Sequence, residues 1–362
     1  MLLDIATSLP PFRVSQQTAC AELKNRMTAE KPAAARILDA AINHSGIQSR
    51  NIIVLESDDT PDKFLFGDNS TPTTKERMKK YEEASRSLSC QAVATLLNNT
   101  GMTPEQIKRL ITVTCTGFYA PGPDYYLIRQ FGLPRSIQRT NVGFMGCAAA
   151  ITGFTSVLEA LSRAKDPTSI LMVSVELCSL HIQFEPTRDN LLANTIFSDG
   201  CAAALFTNDT GRQGRLKLLD TATILFDNSS ELMGWAIGNT GFEMKLSSEI
   251  PKIIVSAAAP ALRKILKDRG IDKIKYWALH PGGRAILDAL QQGLELSDEQ
   301  MSYSRSVLRQ YGNMSSASIM FVLKELLDEV QPKEDEYLCA AAFGPGLTME
   351  VAIFRGTAGS SR

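Results

Sequence analysis

Between Ala148 and Ala164 the chain is apolar on nearly every helical face, and no other stretch restricts the fold as strongly. A helix without a polar stripe has to be buried on all sides, so other layers must pack around it. Lys165-Asp166-Pro167 stops this helix, and Ser169 to Leu177 follows as a continuous apolar strand of the kind covered on both faces. Helical and strand patterns alternate through the rest of the chain, which is the grammar of the α/β class.

Lys75 to Asn99 reads as a long amphipathic helix. Thr103-Pro104-Glu105-Gln106 supplies an N-cap, an N1 proline and a capping-box partner for a short helix, before a buried strand from Leu110 to Cys115. Asp124 to Phe131 is helical, and Ala202 to Phe206 is a further apolar strand. The polar, glycine-bearing stretch Asn208 to Gly214 is the best boundary, dividing the chain into halves 1–212 and 213–362. The second half repeats the pattern. Helix Pro251 to Lys267 leads to strand Tyr276 to Leu279, then come a helix from Arg284, helix Ser315 to Val330, and strands Tyr337 to Ala342 and Leu347 to Phe354. Two halves with one alternation suit a duplicated fold, although no repeat is visible at the level of letters.

Composition excludes more than it identifies. The 362 residues carry a formal charge of −1, which argues against nucleic acid as a partner because phosphate contacts require a basic excess. No window reaches the ~18 unbroken apolar residues of a membrane helix, and Met1-Leu2-Leu3-Asp4 lacks a signal peptide's basic start, so a cytoplasmic location is expected. The seven cysteines (20, 90, 115, 147, 178, 201 and 339) form no CxxC pair, hence neither a disulfide framework nor a zinc site is indicated. With only three histidines (44, 181 and 280), the search for a catalytic base is short.

Three residues carry the chemistry. Cys147 follows Gly146 at the start of the buried helix, where the helix dipole and free backbone N–H groups favour thiolate, the reactive form. The competing reading is a small residue packed under a helix. His280 closes a strand and precedes Pro281-Gly282-Gly283, a placement suited to a base in an open α/β sheet, or to a histidine that merely ends a strand. Asn313 sits where an apolar helix begins, and alone it would read as an N-cap. Together the three can supply a nucleophile, its charge partner and a second hydrogen-bond donor.

Gly143-Phe144-Met145-Gly146-Cys147-Ala148-Ala149, Trp277-Ala278-Leu279-His280-Pro281-Gly282-Gly283 and Tyr311-Gly312-Asn313-Met314-Ser315-Ser316-Ala317 resemble, in order and spacing, the three catalytic motifs of type III polyketide synthases of the chalcone synthase family. Phe343-Gly344-Pro345-Gly346-Leu347-Thr348 is similar to that family's pocket-shaping loop, and the likeness runs from about Pro11 to Phe354. The resemblance implies a thiolase-like five-layered αβαβα fold, a homodimer, and no metal or organic cofactor. It implies that Cys147 takes an acyl starter from a thioester, while His280 and Asn313 hold malonyl-CoA as it loses CO₂ and stabilise the enolate that attacks the acyl group. It also places Phe197 at a gate, Cys115, Cys178 and His181 on the cavity wall, and Ser315 beside the catalytic asparagine. The bacterial members are the nearer likeness.

Several positions depart from the plant pattern. Ala120 stands where a methionine reaches into the partner's site, and Met244 where a second gating phenylalanine is usual. The helix that binds CoA phosphates in plant members reads Ala33 to Gly46 here, with Arg36 its one strongly basic residue. Either other basic residues hold CoA or an acyl carrier protein delivers the starter. Ala120, Met244 and Cys178 suggest a roomier, more apolar site for a medium or long fatty acyl starter, giving an alkylpyrone or alkylresorcinol. Malonyl-CoA as starter for a polyhydroxylated aromatic, favoured by the polarity of His181, is the alternative. A single condensation of the ketoacyl synthase III kind and an inactive acyl-binding subunit are further readings.

Overall fold

A computed structural model of the chain describes residues 1–27, 32–54, 66–67 and 71–357. Its strands are β1 (Leu2–Ser8), β2 (Arg13–Ser15), β3 (Ser49–Asn51), β4 (Ile107–Thr114), β5 (Gln138–Gly143), β6 (Ser169–Leu177), β7 (Asp199–Thr207), β8 (Leu216–Leu225), β9 (Met233–Gly238), β10 (Gly241–Leu246), β11 (Tyr276–Leu279), β12 (Tyr337–Gly344) and β13 (Thr348–Gly356). Nine of them form one mixed sheet in the order β11-β12-β13-β8-β1-β7-β6-β4-β5, while β2 with β3 and β9 with β10 make separate pairs.

Two runs of strands within the sheet obey the same pairing rule. From β4 to β6 the ladder is parallel, and β6–β7 and β7–β1 are antiparallel. From β11 to β12 it is parallel again, and β12–β13 and β13–β8 are antiparallel. The runs meet through a single pair, Leu2 with Leu216.

Helices Ala149–Arg163 and Ala317–Glu329 share one core, in which Phe154, Val157, Ile319 and Val322 meet Ile5, Ile111 and Ala340. Helix Thr74–Thr100 lies over the other face of the first run, with Tyr81 and Leu88 against Leu110 and Leu171. The helical stretch 250–268 and helix Arg284–Leu294 cover the second run, with Leu262 and Leu287 against Ala341 and Ile353. Neighbours such as Leu110 and Ile111, or Ala340 and Ala341, therefore enter different cores. That is why these strands are apolar at every position: both faces are covered, and the side-chain period of two cannot show as alternation. The result is five layers, helix, sheet, helix, sheet, helix, in the thiolase-like arrangement.

Several boundaries differ from the sequence expectation. Thr103 and Gln106 do form a reciprocal cap, but around the single turn Pro104–Gln106, and β4 begins at once at Ile107. The 250–268 stretch widens into a π turn at Ile254–Ala258. Pro260 follows it, lacks an N–H, and crowds the carbonyl four residues back, which a wider turn relieves. The last central helix starts at Ala317 rather than Ser315, whose φ of 48° lies in the left-handed region. Among the described residues no helix is long and apolar enough to cross a membrane.

Candidate active site

After β5 the backbone enters the left-handed region twice, at Phe144 (φ 60°) and Gly146 (φ 61°), before the tight turn Gly146–Ala148 that presents Cys147. A Cβ at position 146 would lie 2.4 Å from Cδ of Pro345, so glycine is required by φ and by contact with the closing loop. Cys147 is 7% exposed. Burial pushes its thiol up to about 12, against the opposing influence of the Ser315 and Asn313 side chains.

Burial therefore opposes the thiolate that the helix end favours. Raising the thiol from 9 to about 12 corresponds to roughly 4 kcal/mol. A helix terminus supplies only about 0.3–1 kcal/mol, and about 2 in favourable sites. Burial wins.

Asn313 reaches the site from the other run. It is not an N-cap: its backbone forms a short parallel bridge with Phe197, its N–H donating to the Ile196 carbonyl at 2.9 Å and its carbonyl accepting from Ser198 N–H at 2.8 Å. Its Oδ1 lies 4.0 Å from Cys147 Sγ and accepts the Ser315 N–H at 2.8 Å, while Nδ2 donates to the Gly282 carbonyl at 3.2 Å. His280 follows β11, its N–H bonded to the Ala341 carbonyl at 2.9 Å. Its ring packs against Gly282, and neither ring nitrogen has a hydrogen-bond partner among the described residues. Burial lowers its pKa to about 3, so the resting imidazole is neutral.

A buried carboxylate lies beneath. Both Glu176 oxygens accept the Cys115 N–H (2.9 and 3.1 Å), and hydroxyls of Thr116 and Ser316 also donate to it. Burial still raises Glu176 to about 7, and its charge opposes ionisation of Cys147. An acid in a doubly covered apolar strand was a legible signal for such a network, yet it was not among the expected site residues.

Two spaces with a shared wall open here. A pocket of about 30 Å³ is walled by Cys115, Cys147, Ser315, Pro345 and Trp235 among others. A cavity of about 360 Å³ lies beyond it, bounded by helix Gln16–Met27, Ile52, Val54 and Phe184. Cys178, Phe197, Met244 and Trp235 line both. Trp235, one of the chain's two tryptophans, was absent from the sequence expectation; its Nε1 donates to the Cys115 carbonyl at 2.7 Å. Met244 and Cys178, expected to widen the site, thus face the outer cavity as well as the small pocket. His181 lines that cavity, but its Nδ1 accepts the Phe242 N–H (3.0 Å), its Nε2–H donates to the Thr116 carbonyl (2.7 Å), and its ring stacks on Phe242. Gly344 and Gly346 flank Pro345 without lining either space, and Ala120 is exposed, away from both.

Residues 7–267 match the family described as FAE1/Type III polyketide synthase-like protein, and residues 218–358 match the C-terminal domain of chalcone and stilbene synthases. Polyketide synthase 37 of Dictyostelium discoideum is 34% identical over 77% of this chain, which spans 10% of that much longer protein. The alpha-pyrone synthesis polyketide synthase-like Pks18 of Mycobacterium tuberculosis is 31% identical over 81% of this chain and 76% of its own. The crystal structure of 1,3,6,8-tetrahydroxynaphthalene synthase from Streptomyces coelicolor superposes with a TM-score of 0.87 over 99% of both chains, at 26% identity. A cysteine and an asparagine brought together from two strand runs of one layered fold, on a chain matched over nearly its whole length, lead to one conclusion: it belongs to the type III polyketide synthases, acyl-transferring enzymes that form carbon–carbon bonds.

Proposed function

We propose that this enzyme loads a medium or long fatty acyl starter on Cys147, extends it with malonyl-CoA, and cyclises the product to an alkylpyrone or alkylresorcinol. The observation that carries the reading is the juxtaposition of Cys147 with Asn313, beside a largely apolar cavity of about 360 Å³. That volume falls within the range of small-molecule sites, and each buried CH₂ of an acyl chain contributes about 0.8 kcal/mol.

Cys147 gives its proton to His280, and the paired charges offset what burial costs each alone. The thiolate attacks the starter thioester and CoA leaves. Malonyl-CoA then loses CO₂, and its thioester oxygen takes up negative charge facing the His280 imidazolium and the Asn313 amide. The enolate carbon attacks the acyl carbonyl on Cys147. A C–C bond forms, the C–S bond breaks, and the chain returns to CoA two carbons longer. This scheme uses neither metal nor organic cofactor, and CoA or an acyl carrier protein could bring the starter.

We also read the enzyme as a homodimer. Strand β5 is an unpaired sheet edge, and Phe118, Tyr125 and Met145 near it are 41%, 42% and 37% exposed. The division into halves at 212/213 is likewise our reading, supported by the repeated ladder order. A malonyl-primed route to a polyhydroxylated aromatic is favoured by the likeness to tetrahydroxynaphthalene synthase, whereas Pks18's name favours a pyrone. His181 no longer supports the malonyl route, since both its ring nitrogens are occupied. The test is kcat/KM with acetyl, hexanoyl, lauroyl and malonyl starters. A rise with chain length is expected; a flat or falling series, or efficient turnover of malonyl-CoA alone, overturns the fatty acyl reading.

A further inference from the structure

Arg50 is 4% exposed and lines the outer cavity, yet it makes no ion pair within 4.0 Å among the described residues. A guanidinium has five N–H donors. Here one nitrogen, Nη1, donates to two carbonyls, those of Asn194 and Phe197, both at 2.7 Å, and Nε has no partner. The nearest acid acting on it, Asp199, spends its oxygens on Ser179 and on the Ile53 N–H. For stability alone, a well-packed apolar side chain is often as good as a buried charge or better. Retaining a half-satisfied cation in the cavity wall therefore calls for a geometric reason.

The two carbonyls supply it. They belong to the end of helix Arg188–Ile196, where Phe197 is the C-cap. Phe197 is also the residue that forms the short bridge with Asn313. On the far side of that bridge, Gly312 (φ 72°) approaches Arg50 so closely that a Cβ there would lie 2.9 Å from Arg50 Cγ. Arg50 thus holds the helix end by its guanidinium and the residue before Asn313 by its stem. A lysine has donors enough for both carbonyls but a shorter reach, so it would hold them less well.

We propose that Arg50 is a positioning residue for the decarboxylation step: it fixes the Phe197–Asn313 bridge, and through it the Asn313 amide, without touching the reacting atoms. This rests on the reading that Asn313 stabilises the enolate. Cys147 is held separately, by the Gly146 turn and Pro345, so loading and decarboxylation should come apart. Wild type, Arg50→Met, Arg50→Lys and Asn313→Ala are compared in two assays, CO₂ release from malonyl-CoA and acylation of Cys147 by acetyl-CoA, whose two-carbon acyl group is too short to occupy the outer cavity that Arg50 lines, followed by intact mass. Displacing a catalytic group by about 1 Å can cost 10²-fold. Arg50→Met should therefore lower kcat for CO₂ release by roughly 10- to 100-fold with KM little changed. Arg50→Lys should fall between it and wild type, and acylation should stay within about twofold of wild type in both variants. Arg50→Lys keeps the charge and tests the idea should the methionine variant fail to fold. Equal losses in both assays would mean a general structural defect and overturn the proposal. So would normal CO₂ release in the Arg50 variants beside an impaired Asn313→Ala. Normal CO₂ release in Asn313→Ala itself would instead remove the enolate reading, and the positioning role with it.

Discussion

The two central helices begin at corresponding places in the two strand runs, and the contrast between their first turns matches the two tasks proposed for Cys147 and Asn313. Before Ala149–Arg163 the chain passes Phe144 and Gly146 in the left-handed region and exposes a thiol to the small pocket. Before Ala317–Glu329 it passes Gly312 and Ser315 in the same region and presents an amide, braced by a strand bridge. A non-glycine residue held at positive φ costs on the order of 1–3 kcal/mol and persists where the surroundings over-determine it. Both turns carry one, Phe144 and Ser315. One scaffold position, used twice, thus brings a thiol and an amide to within 4.0 Å of each other, which neither run could do alone.

The strongest way to break this contrast is to remove the nucleophile. Cys147→Ala should abolish starter loading and extension, a loss on the order of 10⁴-fold or more, with the fold unchanged by circular dichroism. Acyl-enzyme of normal yield in this variant would assign the thiol task elsewhere. His280→Ala and Asn313→Ala come next, each lowering decarboxylation by about 10²–10³-fold. CO₂ release decides it, and near-wild-type rates in both would dissolve the division of labour.

A pH series sharpens the thiol side. Because Cys147 sits near 12, its thiolate fraction is far from saturation at neutral pH, so alkylation by iodoacetamide should climb close to tenfold per pH unit from about pH 6 to 9. A plateau below pH 7 would reveal a preformed ion pair with His280. The smallest expected effect concerns the wall between the two spaces. Trp235→Leu removes ring volume and the bond to the Cys115 carbonyl, and should shift kcat/KM among starters of different length by roughly 10-fold, as 1–3 kcal/mol of pocket contacts would. An unchanged starter profile would show that Trp235 does not limit the site.

Much of this was legible in the letters because its causes are local. Thr73 and Glu76 cap the long helix near where its amphipathic pattern starts, and the all-apolar Ala148 to Ala164 run could be nothing but buried. Cys147, His280 and Asn313 stood out because turn-forming glycines and prolines mark them. Trp235, Glu176 and Arg50 were missed for a shared reason: their roles depend on partners between 60 and more than 100 positions away, Cys115 for the first two and Asn194 and Phe197 for the third. The edge strand β5 and the β9–β10 hairpin lack the apolar runs that betray a covered strand, since each lies at a sheet margin.

The layered α/β class, the buried central helix and the turns that present Cys147, His280 and Asn313 follow from the letters, because periodicity, capping and turn chemistry act over a few residues. Packing set what no local pattern shows, namely how far burial opposes a Cys147 thiolate and where the outer cavity lies. Burial opposes the helix end that favours a Cys147 thiolate, and Trp235 stands in the wall that the small pocket and the outer cavity share. Both effects arise from the sum of neighbours around a point, and that sum exists only once the two runs have packed.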